Sequence, residues 1–254
     1  MMGLPAVAII RNDLRLMRHD YFPVVLLLVM PLVGMVFMKS AFRATVVAEN
    51  IPDANGAEQA VPGMAVTFGF ALVSYVGLGF FREHAWGTWD RLRASPASTL
   101  EIVLGKMGAC LLLAVVQLAL LFGIGGTIFD LHVRGSWVEI GVVGASFSIC
   151  LIAVGLVISV VCTSVMQANA FTYVGMVLFS CMAGALVPAS SLPHWAKVLG
   201  PAVPSYWAMR GYRYALLGKP GVGASVAVLL GLAATLLVIA AVRMRVDERK
   251  RGFA

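Results

Sequence analysis

The stretch FFREHAWGTWDRLRASPASTLEIVLGK, residues 80–106, is the one long charged segment between two stretches apolar enough to cross a bilayer. Residues 61–81 run into it and residues 107–129 follow it, and neither stretch carries a charged side chain. An apolar run of about 20 residues is long enough to span a membrane as a helix. The charged segment therefore connects two spans where both emerge on the same side of the membrane.

This segment has the pattern of two short helices separated by a break. Trp86, Trp89 and Leu92 recur at a spacing of three, which gives the first helix an apolar face. Pro96 ends that helix because it lacks the amide that would continue the hydrogen-bond ladder. Residues 98–101, Ser-Thr-Leu-Glu, fit a capping box and predict a second helix that continues into the next span.

Several short motifs of the segment resemble the cytoplasmic coupling helix of type-2 ATP-binding-cassette (ABC-2) export permeases, in the daunorubicin-resistance and multidrug branch. These motifs are Arg82-Glu83, Gly87-Thr88, Asp90-Arg91-Leu92, Ser95-Pro96 and Leu104-Gly105-Lys106. In that family the segment docks on the ATPase subunit. The resemblance therefore implies ATPase-coupling roles for Arg82, Glu83, Trp86, Thr88, Trp89, Asp90, Arg91 and Leu92. The alternative is a solvated loop whose tryptophans lie among lipid headgroups.

The composition is typical of a membrane protein, since 60% of the 254 residues are hydrophobic and 12% are charged. Apolar stretches of spanning length recur six times, which predicts an all-α membrane protein with six transmembrane helices in a single domain, residues 1–254. The predicted spans are residues 21–38, 61–81, 107–129, 138–162, 166–187 and 222–242. Residues 82–106 are the predicted cytoplasmic coupling segment between spans two and three.

The charge distribution predicts that both termini are cytoplasmic in the cell (inner or plasma) membrane. With that orientation, 12 of the 19 lysines and arginines lie inside, including those of the tail, residues 243–254. Residues 1–20 combine apolar positions at helical spacing with a basic stripe of Arg11, Arg15 and Arg18. This pattern favours a helix in the cytoplasmic interface, and an anchor that merely fixes orientation is an equal alternative.

Prolines divide residues 188–221 into two segments that are each too short to cross the membrane, and we expect an external re-entrant hairpin between spans five and six. The order Leu192-Pro193-His194-Trp195, then Tyr206-Trp207, then Leu216-Leu217-Gly218 is similar to the external hairpin of ABC-2 permeases. The candidate lid residues are Trp195, Tyr206, Trp207 and Arg210. The alternative is an aromatic belt at headgroup level.

Two further features are predicted to be structural. The first external loop, residues 39–60, is polar, rich in turn residues and expected to be a connector. Small residues four apart in span six (Gly223, Ala227 and Gly231) and in span four (Gly155 and Ser159) are expected to allow close helix packing within the chain, rather than dimerisation.

Catalytic chemistry is not indicated. All histidines and acids lie in predicted loops or at span ends, which argues against an ion-driven carrier, and no hydrolase or metal-ligand motif is found. Leu104-Gly105-Lys106 lacks the other glycine and the Ser or Thr of a phosphate-binding loop. The chain is therefore not expected to be an enzyme or to hold a cofactor or metal, and ATP and Mg are expected on a partner ATPase.

Mixed aromatic, thioether and polar side chains in spans two and five suggest a translocation path for bulky amphipathic compounds. These residues are Phe68, Phe70, Ser74, Tyr75, Asn169, Tyr173, Met176 and Ser180. For any one of them, ordinary packing between helices is the stronger alternative.

Taken together, the residues and the resemblance predict the permease subunit of an ATP-driven exporter of hydrophobic drug or antibiotic-like compounds. The expected partners are two separate ATPase subunits, a second permease that is identical or homologous, and membrane lipid, without nucleic acid. Two alternatives stay open: export of a lipid or lipid-linked glycan, which a cationic outer hairpin would suit, and a non-transporting membrane scaffold.

Overall fold

A computed structural model describes residues 4–19, 21–48, 55–77 and 99–251, and all the longer regular elements in these ranges are helices. We number the helices along the chain. They are α1 (Leu4–His19), α2 (Tyr21–Ala48), α3 (Ala57–Gly69), α4 (Thr99–Thr127), α5 (Trp137–Val161), α6 (Val165–Met182), α7 (His194–Leu199), α8 (Pro204–Leu217) and α9 (Val222–Arg251). After a turn at Phe70, helical residues 71–77 continue the direction of the chain from α3.

Six helical segments are long and apolar enough to cross a membrane, which confirms the predicted all-α membrane fold with six spans. The candidate spans are Val24–Ala48, Ala57–Gly77, Leu104–Thr127, Trp137–Val161, Val165–Met182 and Val222–Arg243. The helices differ from the predicted spans at one place in particular. Because α2 continues to Ala48 and α3 begins at Ala57, most of the predicted loop 39–60 is helical.

Side-chain caps set where the fourth and fifth spans begin. The Ser136 hydroxyl oxygen accepts a hydrogen bond from the backbone amide of Val138 at 3.2 Å, at the start of α5. The Ser164 hydroxyl does the same for the amide of Gln167 at 3.2 Å, at the start of α6. Each serine satisfies an amide that has no partner within its helix, so a short polar residue marks each boundary.

The second and fourth spans form the centre of the bundle. Buried side chains make up 78% of the apolar window in the second span and 67% in the fourth, against 17% in the first and 22% in the fifth and sixth. Val61, Phe70, Val143 and Leu151 all belong to one continuous buried cluster. The four less buried helices surround this centre, and their outward apolar faces are available to lipid or to another subunit.

Most of the segment between α6 and α9 forms part of the bundle. The helix α8 packs against α3, α5, α6 and α9, all at the end of the bundle where α4 ends and α5 begins. We call this the hairpin end. At the opposite end α1 packs along α4, and its basic residues Arg11, Arg15 and Arg18 are exposed. The position of α1 in the membrane interface stays a prediction.

Candidate translocation site

The predicted ATPase-coupling residues lie outside the described ranges, because residues 78–98 contain all of them. They are Arg82, Glu83, Trp86, Thr88, Trp89, Asp90, Arg91 and Leu92. The described chain resumes at Thr99, inside the predicted capping box, and α4 runs without interruption from there to Thr127. Their coupling role stays a prediction from the sequence.

The path residues of the second span are too buried to line an open, solvent-filled path. Phe70 is 3% exposed, while Phe68, Ser74 and Tyr75 are half-buried. Phe68 packs against the central cluster, whereas Tyr75 packs against a separate buried cluster that includes Cys110 and residues of α5. These four residues therefore do not share one surface.

The path residues of the fifth span follow one side of α6 from exposed to buried. Tyr173 is 59% exposed and Asn169 is half-buried, near the first half of the helix. Met176 is half-buried and packs against the central cluster, and Ser180 near the hairpin end is fully buried. The polar groups of Asn169 and Tyr173 thus lie on the outer, weakly covered side of the bundle.

Phe70 of the second span packs close to the path residues of the fifth span. The ring of Phe70 lies 6.0 Å from the ring of Phe179, the residue before Ser180, and 6.4 Å from Phe147 in an edge-to-face arrangement. Phe70 therefore joins spans two, four and five through aromatic packing. This arrangement suits the packing alternative for Phe70, while Asn169 and Tyr173 remain the better placed candidates for a path.

The candidate lid residues separate into two groups. Trp195 on α7 is 55% exposed. Tyr206, Trp207 and Arg210 lie together on one half-buried side of α8, where the first two rings stack edge to face with centroids 5.5 Å apart. The Ser205 hydroxyl donates a hydrogen bond to the Phe179 carbonyl oxygen at 2.7 Å, which ties the start of α8 to α6.

The opposite side of α8 is fixed in the bundle. Tyr212 is completely buried, and its ring lies 5.3 Å from that of Phe122 on α4. A side chain on Gly211 would meet Val143 at 3.0 Å and Ser225 at 3.2 Å, so α5 and α9 approach the α8 backbone closely. If the whole hairpin moved as a lid, α8 would have to break these contacts with α4, α5 and α9. A gating motion therefore fits α7 better than α8.

A polar site at the hairpin end was not predicted from the sequence. Glu58 and Gln59 fall in the predicted connecting loop, but both lie in the first turn of α3 and are only 5% exposed. One Glu58 carboxylate oxygen accepts hydrogen bonds from the amides of Asn55 and Gly56, both at 3.2 Å. The Gln59 side-chain amide donates to the Gly184 carbonyl oxygen at 2.6 Å. Glu58 lies at the end of a span, as predicted for the acidic residues, but its side chain is buried inside the protein.

This polar site adjoins a small crevice. The second carboxylate oxygen of Glu58 lies 3.7 Å from Nδ1 of His132, which is about half exposed. Arg213, Val46 and Leu216 line the crevice with Glu58 and Gln59. The sequence Asn55-Gly56-Ala57-Glu58 carries a signal for this site, because Asn, Gly and an early acid are typical of helix starts. The Asn55 side-chain oxygen indeed accepts a hydrogen bond from the Ala57 amide at 2.9 Å.

The described residues contain no group of three or more His, Cys, Asp or Glu side chains placed to hold a metal ion. The four cysteines are free, and three of them are buried. The described side chains that could contact a ligand are the aromatic and polar groups of α6, the buried carboxylate at α3 and the cationic, aromatic side of α8.

The profile of the ABC-2 type transporter family matches residues 6–217 of the chain. Over 136 residues the chain is 29% identical to the probable multidrug ABC transporter permease YbhR of Escherichia coli strain K12, and equally to the protein of that name from Escherichia coli O157:H7. The aligned region covers 54% of this chain but 36% of each relative, little more than a third of their length.

Proposed function

The chain belongs to the ABC-2 type transporter family, and on that basis we propose that it is the membrane-spanning permease subunit of an ATP-driven exporter. The family match, which covers residues 6–217 and five of the six spans, is the observation that carries this proposal. The chain is a multi-pass membrane protein, and its resemblance to ABC-2 permeases, inferred above from sequence motifs, is confirmed. In this proposal both termini face the cytoplasm.

Two ATPase subunits are the proposed source of energy. The segment between the second and third spans is the proposed docking site, with Trp86, Trp89 and Leu92 filling an apolar groove on the ATPase. ATP and Mg would be bound by that partner. Support comes from the family motifs in residues 82–106 and from their place between two spans.

A second permease subunit is proposed to cover the outer side of α6. Tyr173 is 59% exposed and Asn169 is half-buried, within a span whose surroundings would otherwise be lipid. Polar groups in the hydrocarbon region are costly unless another helix or water receives their hydrogen bonds. A path between two such sides would present aromatic and amide groups to a bulky, hydrophobic compound of the drug or antibiotic type. The relatives named as probable multidrug permeases support this substrate class.

The proposal is tested in proteoliposomes that contain the purified permease and the ABC ATPase that co-purifies with it. We expect ATP-dependent movement of a fluorescent hydrophobic compound, for which daunorubicin is the probe, and ATPase activity that rises when the permease is present. The Trp86→Ala/Trp89→Ala double variant should insert normally but lose most of the transport and the ATPase stimulation, since hot-spot tryptophans dominate such contacts.

Trp137→Ala is the matched control, because Trp137 is also an exposed tryptophan (53%) but lies at the start of α5, at the hairpin end. Its transport should stay close to that of the unaltered chain. Unchanged transport and unchanged co-purification of the ATPase with the double variant would contradict the docking proposal. Co-purification without any ATP-dependent movement of the probe would point instead to another substrate class.

A further inference from the structure

Arg210 occupies an unusual position on the half-exposed side of α8. Its guanidinium carbon lies 5.3 Å from the centre of the Trp207 ring and 5.1 Å from that of the Tyr214 ring. The three residues are spaced i, i+3 and i+7, so they follow one side of the helix. Both distances fall within the range of cation–π contacts, in which an aromatic face attracts a cation.

Both rings are held in place by other parts of the chain. The Trp207 indole N–H donates a hydrogen bond to the Pro201 carbonyl oxygen at 2.9 Å. The Tyr214 ring lies against Gly221, where a Cβ would come within 3.2 Å of it and where the backbone has a φ of +113°. The guanidinium therefore meets two fixed aromatic surfaces. We call Trp207, Arg210 and Tyr214 the arginine clamp.

The cation of the clamp has no acidic partner among the described residues. Residues 188–221 contain four basic residues and no acidic one. Among the residues that the structure describes, Arg210 forms no ion pair, and its Nε is buried without a hydrogen-bond partner. Lys197 of the same segment differs, because its ammonium group donates to the Ser190 carbonyl oxygen at 3.3 Å. A guanidinium charge that no described acidic side chain neutralises is thus held at Arg210.

The arginine clamp lies at the hairpin end, where the membrane spans begin or end. The helix α8 begins beside Phe179, near the end of α6, and its Leu216 carbonyl accepts the amide of Arg134 in the loop before α5. Its whole length therefore lies beside the last turns of the spans. The short helix α7, which precedes the Pro201 turn, exposes Trp195, Val198 and Leu199 by 51–61%. An exposed apolar side next to a cation is typical of surfaces that meet lipid.

We propose that the arginine clamp binds the phosphate of an anionic phospholipid headgroup, with the acyl chains passing over the exposed apolar side of α7. A guanidinium binds phosphate through two parallel N–H donors, which a lysine ammonium cannot reproduce. A guanidinium held over aromatic faces still carries N–H donors at the edge of its plane. The site does not depend on which compound the protein exports.

The test uses the purified full-length chain in a neutral detergent, with lipid binding followed by native mass spectrometry. The probe is phosphatidylglycerol, and phosphatidylcholine provides the zwitterionic comparison. We expect phosphatidylglycerol to bind the unaltered chain more tightly than phosphatidylcholine. Soluble glycerol 3-phosphate at equal concentration should not displace it, because the acyl chains are part of the recognition.

Three substitutions separate the clamp from general positive charge. Arg210→Gln should weaken phosphatidylglycerol binding about tenfold or more, the loss expected for one charge-assisted contact. Arg210→Lys should also weaken it severalfold, because the charge remains but the planar donor pair is lost. Lys219→Gln is the control, since Lys219 is exposed, basic and in the same segment but outside the clamp, and its binding should change less than twofold.

Equal losses in Arg210→Gln and Lys219→Gln would overturn the proposal in favour of nonspecific charge. Full binding by Arg210→Gln, or equal binding of the two lipids to the unaltered chain, would overturn it as well. If soluble glycerol 3-phosphate displaced phosphatidylglycerol, the site would recognise the phosphate alone, and the proposed lipid ligand would be wrong. The comparison of lipids on the unaltered chain requires no substitution, so the proposal can be rejected even if a variant fails to fold.

Discussion

Glu58 shows how one buried carboxylate can organise the hairpin end. Its side chain accepts two backbone amides just before α3, and a carboxylate there also faces the positive end of the helix dipole. The neighbouring Gln59 binds the Gly184 carbonyl, so adjacent residues fix the start of the second span to the end of the fifth. This is a structural role, and it accounts for two polar side chains inside an otherwise apolar region.

Glu58→Ala should lower the stability of the folded chain by about 1–3 kcal/mol, because it leaves buried amides without an acceptor. Thermal unfolding in detergent measures the effect as a lower midpoint temperature. Glu139→Ala is the matched control, since Glu139 is also an acid in the first turn of a span but is exposed. Equal midpoints for the two variants would contradict the role given to Glu58.

Tyr212 provides a second residue-level prediction. Its ring is fully buried, and its hydroxyl has no hydrogen-bond partner among the described residues. Tyr212→Phe should therefore unfold at the same temperature or higher, because it removes a buried hydroxyl that forms no hydrogen bond with the described residues. Tyr212→Ala should cost about 3–5 kcal/mol through the cavity it leaves. A clear loss of stability in the phenylalanine variant would show that the hydroxyl has a partner.

The same tyrosine predicts a pH effect. Burial raises the pKa of the Tyr212 phenol above its ordinary value, whereas in the unfolded chain the phenol ionises at about pH 10, as in any exposed tyrosine. Above that pH the unfolded state binds fewer protons than the folded state, so stability falls as pH rises. The fall should be smaller in Tyr212→Phe. Thermal unfolding of both chains is measured from about pH 8 to about pH 11, a range that brackets the pKa of the phenol in the unfolded chain.

Helix contacts in this fold depend on where small residues meet a neighbour. Gly155 of α5 lies so close to span two that a Cβ would be 2.8 Å from Val76, which confirms the expectation of close packing there. The expectation for the last span was wrong, because a Cβ on Gly223 or Gly231 would meet nothing within 4 Å and both glycines are exposed. Spacing alone does not say which side of a helix faces a neighbour.

Gly63 and Gly141 form a matched pair for testing close helix approach. A Cβ on Gly63 of α3 would lie 2.5 Å from the Ala185 carbonyl oxygen, whereas one on Gly141 of α5 would meet nothing within 4 Å. Gly63→Ala should lower the thermal midpoint by several degrees, because backbone must move apart. Gly141→Ala should raise stability by up to about 1 kcal/mol, the helix preference of alanine over glycine. The same direction of change in both variants would contradict the close approach of α3 to residues 183–185.

The molecule as a whole is a bundle in which two spans are central and four are peripheral, with α8 packed into one end. The other described residues leave the outer sides of α2, α6 and α9 largely uncovered. It also distinguishes the two ends, since the hairpin end holds the buried Glu58 and the arginine clamp while the other end holds α1 with its basic residues.

The orientation of the bundle gives the last prediction. In a variant lacking the four native cysteines, Ser190→Cys should react with a membrane-impermeant thiol reagent added outside cells, because Ser190 is exposed at the hairpin end. Arg15→Cys, exposed on α1, should react only after the membrane is permeabilised. Ser205 is unsuitable as a probe because it is fully buried. The reverse labelling pattern would place both termini outside.

The class of the protein, the number of its spans and its family could all be predicted from the order of its residues. Apolar length defines a span because a helix must satisfy its backbone hydrogen bonds internally in lipid, so six long apolar runs could be counted without coordinates. The family motifs in residues 82–106 are local in the chain and could be recognised for the same reason. The serine caps of α5 and α6 likewise depend on neighbours only two or three residues apart.

The polar residues that are buried together could be identified only once the helices were placed in three dimensions. Glu58 and Gln59 have the pattern of loop residues until α3 and the turn after α6 are brought side by side, 125 residues apart for the Gln59–Gly184 contact. Likewise Tyr75 and Met176 are both predicted path residues but pack in different clusters. Such contacts depend on how helices rotate and approach one another, and in a chain that is apolar on nearly every side, the periodicity of the sequence carries little information about that rotation.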